Sequence, residues 1–281
     1  MLKSHLFFSY AKLNLGLKII NKRADNYHNI KSYFIEINLC DEISFSESSE
    51  FKLTIEGLEL LPDKNNLITK AYDLIRNKSS NINTEYAIHL KKKIPMGGGL
   101  GGGSSNAAAT LVALNELWNL NLNSKKLELL GSELGADIPF FINGGTQLVE
   151  GLGNILSIVD SSSIKNYYFL LVVPPIHIST PWAYGKLNKS LMMDKSDLNF
   201  PPLSDSMKWE LFDNDFERVI RKTHPEIGNI KSTMQDSGAL FSDLSGSGST
   251  VFGIFNSLHK ANKILRKFPN YQTFITSPVF R

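Results

Sequence analysis

The 281 residues contain a single cysteine, Cys40, so neither an internal disulfide nor a cysteine-built zinc module can hold the chain together. Charge of one sign is also scarce. Thirty Lys and Arg against 27 Asp and Glu leave a formal net charge of +3, and the one basic triplet, Lys91-Lys92-Lys93, is too short for a nucleic-acid footprint. No apolar run reaches the ~18 residues that a bilayer requires; the stretch 167–173 is strand-length and stops at Pro174-Pro175. Ser9 and Lys12 interrupt the N-terminal apolar residues before an export signal can form. With one thiol and no such signal, a cytoplasmic location is expected, with no membrane and no nucleic-acid partner. At 42% hydrophobic and 20% charged the composition is close to the globular average, which leaves disorder, collagen and coiled coil without support. A chain of this length forms one large or two modest domains and needs no covalent staple.

Alternation of apolar and polar residues is present from the start. Leu13, Leu15, Leu17 and Ile19 alternate with Asn14, Gly16 and Lys18, which predicts a half-buried strand with Lys12 and Asn14 on one face. Tyr33, Ile35 and Ile37 predict another, followed by short strands at 43–45 and 53–55. Beyond the Leu61-Pro62-Asp63 break, Leu67, Ala71, Leu74 and Ile75 recur at helical spacing. A strand over 86–90 leads into a glycine run. After it, Ala107, Ala108, Leu111, Val112, Leu114, Leu117 and Trp118 cover most of a helix circumference and predict a helix buried on nearly all sides. A further helix is expected from about Ser124 to Leu134, a short strand between Gly144-Gly145 and Gly151, and a buried strand at 168–173. The tail predicts strand 239–244, turn 245–249, strand 251–255, helix 258–268 and strand 273–277. Strands and helices mixed without steady βαβ alternation favour an α+β fold. The polar stretch 160–163 suggests a boundary between domains 1–160 and 161–281.

Five segments carry chemistry. In Pro95-Met96-Gly97-Gly98-Gly99-Leu100-Gly101-Gly102-Gly103-Ser104-Ser105, six of the seven residues at 97–103 are glycine. Serial glycines permit positive φ and let main-chain N–H groups approach an anion. The run opens directly into the apolar helix, whose first turn adds unpaired N–H groups and the positive end of its dipole. Ser104 and Ser105 sit where hydroxyls could cap the helix, hold phosphate oxygens or reach a metal. A Walker loop is excluded because no lysine lies between Lys93 and Lys125, and a dinucleotide fingerprint fails because its acidic residue would be Glu116, inside the helix. In Gly135-Ala136-Asp137-Ile138-Pro139, Pro139 marks the first turn of a helix and Asp137 is its cap or a proton acceptor beside the phosphate cradle. The remaining three are the small-residue turn 245–249, the Lys12–Asn14 strand, and the polar turn Arg23-Ala24-Asp25-Asn26-Tyr27-His28, whose rings could hold a planar base.

In this order, together with Asn66-Leu67-Ile68 and Ser179-Thr180-Pro181, these segments resemble the GHMP kinase superfamily over almost the whole chain. The Arg-Ala-Asp-x-Tyr-His turn points to the branch that phosphorylates a cytidine-diphosphate-linked polyol in isoprenoid precursor synthesis. The resemblance implies a two-domain α+β fold: an N-terminal ribosomal-protein-S5-domain-2-like domain, a C-terminal α/β sandwich domain, and an active site in the cleft between them. It also implies ATP and Mg²⁺ as cofactors, no metal ligand fixed in the protein, and a monomer or weak homodimer. Asp137 is then the general base and Lys12 the cation beside the acceptor hydroxyl and γ-phosphate. The residues from Pro95 to Ser105 hold the nucleotide, with Asn66 at its adenine end. Asn14, Tyr27, His28, Asp137, Thr180 and Tyr184 hold the acceptor, Tyr184 as an aromatic face for its base. Kinases of homoserine, mevalonate or a sugar, and a non-catalytic ligand sensor on the same scaffold, are the competing readings.

Overall fold

Alternation carries much further along the first two strands than their apolar stretches suggest. In the computed structural model, residues 4–57, 65–78, 82–187 and 200–281 are described; the Leu61-Pro62-Asp63 break lies outside them. β1 spans Ser4–Lys22 and β2 spans His28–Ser48. They pair with each other and are joined by a turn in which Arg23 N–H donates to the Tyr27 carbonyl and Asn26 takes φ +69°. The strands expected at 33–37 and 43–45 are one element. The polar residues between them broke the pattern, yet they have dedicated partners: the Asn38 side chain accepts from Thr276 and Ser277, and Asp41 is fully buried with several donors.

The chain folds into two compact units that interleave along it. One comprises Met1–Ala11, Leu39–Pro95 and Gly101–Gly144; the other comprises Lys12–Asn38, Met96–Leu100 and Gly145–Arg281. In the first, β4 (Glu85–Lys91) pairs antiparallel with the far half of β2 and parallel with β3 (Lys52–Glu56). Four helices accompany these strands: α1 (Leu67–Arg76), α2 (Gly102–Leu117), α3 (Ser124–Leu134) and α4 (Ile138–Asn143). As its composition predicts, α2 is buried around most of its first three turns, with Ala107, Ala108, Leu111, Ala113 and Leu114 fully enclosed, and it packs against α1 and α4. Alanines at these positions let neighbouring helices approach closely. Gly131 does the same for α3, where a Cβ would come within 2.7 Å of Ile138 Cγ2, so α4 and the residue before it are drawn in tightly.

In the second unit, residues 30–35 of β2 pair antiparallel with β5 (Thr146–Gly151), which pairs with β6 (Ile155–Ile158). A four-stranded antiparallel sheet follows, in the order β10-β7-β9-β8, from β7 (Tyr168–Val173), β8 (Phe241–Leu244), β9 (Val251–Phe255) and β10 (Gln272–Thr276). Its helices are α5 (Thr180–Gly185), α6 (Glu217–Thr223), α7 (Pro225–Asp236) and α8 (Leu258–Leu265). Leu170, Val172, Ile220, Ile227, Ile230, Met234, Val251, Phe255 and Ile264 form a common core. Only β3–β4 among the described pairs is parallel, which agrees with an α+β fold. The sequence pattern misses β6, whose Ile155 and Ile158 are exposed, and α7, although Ile227, Ile230 and Met234 have helical spacing. No described helix is long and apolar enough to cross a membrane.

Asp243 ends deep in this core, 1% exposed, where it accepts hydrogen bonds from Leu244 N (2.8 Å) and Asn214 N (3.0 Å). The Lys231 ammonium stands 3.5 Å away, and Glu217 opposes ionisation. Burial outweighs these and pushes the carboxyl pKa up to about 7. An unfolded chain gives up this proton near pH ~4, the native protein only near 7, so unfolding releases a proton across that interval. Stability should therefore fall as pH rises from about 4 to 7, by at most ~1.4 kcal/mol per pH unit from this group. Urea denaturation at pH 5 and pH 8 should show a steeper fall in the wild type than in Asp243→Asn; equal falls would show that Asp243 is ionised throughout.

Candidate active site

The two small-residue loops, which the sequence presents as separate features, form one structure. Gly99 has φ +77°, and a Cβ there would lie 2.1 Å from the Ser245 carbonyl oxygen; a Cβ on Gly248 would lie 2.2 Å from Gly99 N. The loops thus meet main chain against main chain, a distance only glycine allows. Hydrogen bonds fix the contact: Thr250 N–H donates to the Gly98 carbonyl (3.2 Å) and the Ser245 hydroxyl to the Gly99 carbonyl (2.9 Å). β1 supplies the third side, through Lys12 N–H to the Leu100 carbonyl (2.9 Å) and Asn14 N–H to Ser245 Oγ (3.3 Å).

Lys12 and Asn14 are 4% and 1% exposed, so the strand face that carries them is buried and the half-buried expectation for this part of β1 is corrected. Both faces are enclosed because Phe34 lies under the lysine and the second loop lies beside it. The Lys12 ammonium donates to Asn14 Oδ1 and stands 4.4 Å from the Phe34 ring centroid. Asn14 Nδ2 donates to Ser32 Oγ (3.1 Å), whose hydroxyl donates to the Gly16 carbonyl (2.5 Å). The amide of Asn14, expected to hold the acceptor, is thus engaged at both ends in orienting Lys12.

At the mouth of α2 the cap is Gly101, with φ +70°, and Ser105 N–H closes the first helical bond on the Gly101 carbonyl (2.9 Å). Ser104 and Ser105 therefore lie inside the helix, and the capping expectation for them is corrected: the left-handed glycine starts the helix earlier than a serine would. Gly102, Gly103 and Ser104 carry N–H groups with no intrahelical acceptor, the feature that suits an anion. Pro95 is half-buried and Met96 is 55% exposed. Asn66 caps α1, its Oδ1 accepting from Ile68 N (2.9 Å). Asp137 occupies the cap position of α4 but makes no side-chain capping hydrogen bond, and it is partly exposed. Capping, the simpler explanation of that aspartate, thus fails.

The aromatic residues expected for the acceptor gather in the second unit. His28 and Tyr184 stack with centroids 5.1 Å apart, Tyr184 packs edge-on against Phe216, and Tyr27 is 66% exposed. Burial and then Lys22 hold the His28 pKa below its ordinary value, so the ring is a neutral hydrogen-bonding group at pH 7. The Thr180 and Ser247 hydroxyls are 3.0 Å apart. Lys12, Asn14, the segment 96–100, Tyr27, His28, Thr180 and Tyr184 belong to this unit, while Asn66, Pro95, Gly101 to Ser105 and Asp137 belong to the other.

Two contributors, Ser32 and Asn214, escaped the sequence reading, and a third, Ser245, was read only as part of the small-residue turn. Ser245 bonds both the first loop and β1; Ser32 ends the chain of bonds from Lys12; Asn214 donates to the Leu244 carbonyl (3.1 Å) and the Gly246 carbonyl (2.8 Å), bracing the second loop. Only Ser245, as the first serine of a small-residue turn, left a trace in the sequence.

Residues 66–145 match the family model of the GHMP kinases N terminal domain, and residues 198–272 that of the GHMP kinases C terminal. A solved homoserine kinase from Cytophaga hutchinsonii superposes with a TM-score of 0.72 over 98% of this chain and 95% of its own, at 22% identity, which speaks for the shared fold. The fold is that of a GHMP kinase. A solved 4-(cytidine 5'-diphospho)-2C-methyl-D-erythritol kinase superposes with a TM-score of 0.80 at 26% identity, covering 98% of this chain and 100% of its own. Two proteins described as 4-diphosphocytidyl-2-C-methyl-D-erythritol kinase are also similar. That of Thermodesulfovibrio yellowstonii is 40% identical over 94% of both chains; that of Pelodictyon phaeoclathratiforme is 38% identical over 97% of this chain and 96% of its own. The chain belongs to the 4-diphosphocytidyl-2-C-methyl-D-erythritol kinase family, within the GHMP kinases.

The loop contact generates a stability prediction with an internal control. Gly145 has φ +69° with nothing within 4 Å of a Cβ, so Gly145→Ala should cost only the left-handed penalty of ~1–2 kcal/mol. Gly99→Ala adds a collision with the Ser245 carbonyl and should lower the unfolding midpoint by clearly more. Equal midpoints for the two variants would show that the loops do not touch.

Proposed function

We propose that this chain transfers the γ-phosphoryl group of ATP to the 2-hydroxyl of 4-diphosphocytidyl-2-C-methyl-D-erythritol, a step of non-mevalonate isoprenoid precursor biosynthesis. The observation that carries the reading is a lysine ammonium buried beside two interlocked glycine loops, in a chain 40% identical to a protein described as that kinase. A buried ammonium whose direction is set by Asn14 places positive charge where an anionic substrate can meet it.

Asp137 accepts the proton of the 2-hydroxyl as that oxygen forms its bond to phosphorus and the bond to the leaving ADP oxygen breaks. Lys12 stabilises the developing negative charge on the attacking oxygen and the γ-phosphoryl group. The main-chain N–H groups between Gly97 and Ser105 hold the diphosphate, and Asn66 keeps its amide N–H₂ for the adenine end. His28 and Thr180 bond the acceptor, and Tyr27 and Tyr184 offer ring faces to its cytosine. Among the described residues, no group of three or more His, Cys, Asp or Glu could hold a metal ion. Mg²⁺ carried on the ATP phosphates would need only one or two protein ligands; the hydroxyl of Ser104 or Ser105 is the candidate. Mg²⁺ held there would neutralise phosphate charge. A functional division near residue 160, a cytoplasmic location, and a monomer or weak homodimer complete the reading.

The deciding experiment is ADP release with the cytidyl-diphosphate acceptor against homoserine, mevalonate and a sugar. Activity confined to the first supports the proposal, preference for another acceptor assigns a different kinase, and no turnover with any leaves a ligand sensor. Asp137→Asn should lower kcat by ~10²–10⁴-fold with ATP affinity within twofold of the wild type, as loss of a general base requires; near-normal turnover would remove Asp137 from that role. Tyr184→Ala should raise the acceptor KM by about tenfold while leaving the ATP KM unchanged, because base stacking contributes ~1–3 kcal/mol. Equal effects on both would place Tyr184 elsewhere.

A further inference from the structure

Beneath the mouth of α2 lies a buried polar cluster to which the mechanism above gives no task. Asp41 is 0% exposed and accepts four hydrogen bonds: from the Lys92 ammonium (2.6 Å), Lys93 N (2.7 Å), Ile94 N (2.8 Å) and Asn106 Nδ2 (2.8 Å). Three of these donors lie on the segment that enters the glycine run, and the fourth lies on the second turn of α2. Asn106 Nδ2 also donates to Ser9 Oγ (2.5 Å) on β1. The Lys92 side chain is 6% exposed and also donates to the Ile94 carbonyl (2.8 Å). Its ammonium would lie 2.9 Å from a Cβ on Gly102, the first residue of α2. The basic triplet of the sequence is thus divided: Lys93 pairs with Glu42 at the surface, and Lys92 turns inward.

We propose that Asp41 and Lys92 are positioning residues for ATP, holding the start of α2 in place and adding a cation directly behind its first N–H groups. The inference rests on the reading that this loop binds the nucleotide's phosphates. A cation at a helix N-terminus opposes the helix dipole, so the position is unfavourable for the fold alone. Burial disfavours the ammonium further, and Asp41 offsets this. Exchanging such a pair for apolar residues is often neutral or stabilising in a protein with no ligand to gain. Its presence here is explained by a polyanion that binds on the other side of Gly102. Asp41 balances the lysine when the loop is empty and fixes the approach to the loop through Lys93 and Ile94.

The test compares the full-length wild type with Lys92→Met, Asp41→Asn and the double variant. The readouts are ATP affinity by calorimetry, KM for each substrate and the unfolding midpoint. Lys92→Met should weaken ATP binding by about tenfold (~1.4 kcal/mol) and leave the acceptor KM within twofold. The double variant should regain the midpoint lost by the single variants without regaining ATP affinity, which a merely structural pair would not do. Lys92→Gln, which keeps a polar side chain there and removes its charge, gives the same readout if Lys92→Met does not fold. ATP affinity unchanged in Lys92→Met or Lys92→Gln, or restored together with stability in the double variant, would overturn the inference. A wild type that binds no ATP would instead overturn the kinase reading.

Discussion

The approach of two glycine loops to van der Waals distance, main chain on main chain, is the constraint from which the surroundings of Lys12 follow. With no side chain between them, 97–100 and 245–249 are held by hydrogen bonds of fixed length, and β1 is fastened to both by its own N–H groups. Lys12 leaves β1 at that seam, and Gly246 comes within 3.6 Å of its ammonium measured from a Cβ position. A bulkier residue at 99 or 248 would separate the loops and release the lysine. The glycine content is therefore divided between two duties: some residues clear space for the second loop, and Gly101 turns the chain into α2.

Around this seam the buried polar groups that surround Lys12 are partnered, whereas the buried Thr250 hydroxyl has no partner. The series Lys12, Asn14, Ser32 and the Gly16 carbonyl gives each donor an acceptor, and Asn214 satisfies two carbonyls of the second loop at once. In a poorly polarisable interior such networks are rigid when complete and costly when broken. Lys12 and Asn14 thus work as a unit: one carries charge and the other sets its direction.

Much of the architecture was legible in the sequence. α1, α2 and α3 follow from local apolar spacing, and α3 occupies the expected Ser124–Leu134. The short strands of the tail lie close to their expected places because glycine-rich turns flank them. Two kinds of feature were hidden. The interruption of β2 at 38–42 was misleading, because the exposed Asn38 and the buried Asp41 are polar residues with partners far along the chain. The union of the two loops could not be inferred either, since Ser245 and Gly99 are 146 residues apart and the close approach is between main-chain atoms that every residue type carries. For the site, residue types were legible, but partners were not: Asp137 reads equally as a cap until the structure shows that it makes no capping bond.

The interleaving of the compact units bears on how the protein comes off the ribosome. Residues 12–38 emerge early, yet the rest of their unit is 96–100 and 145–281, so much of their final environment does not exist until translation is nearly over. β1 and β2 can pair with each other as a nascent ribbon, but β5 arrives more than a hundred residues later. In that interval an apolar sheet edge stands open, a natural docking point for a chaperone and the stage at which crowded synthesis would most readily divert the chain into aggregates.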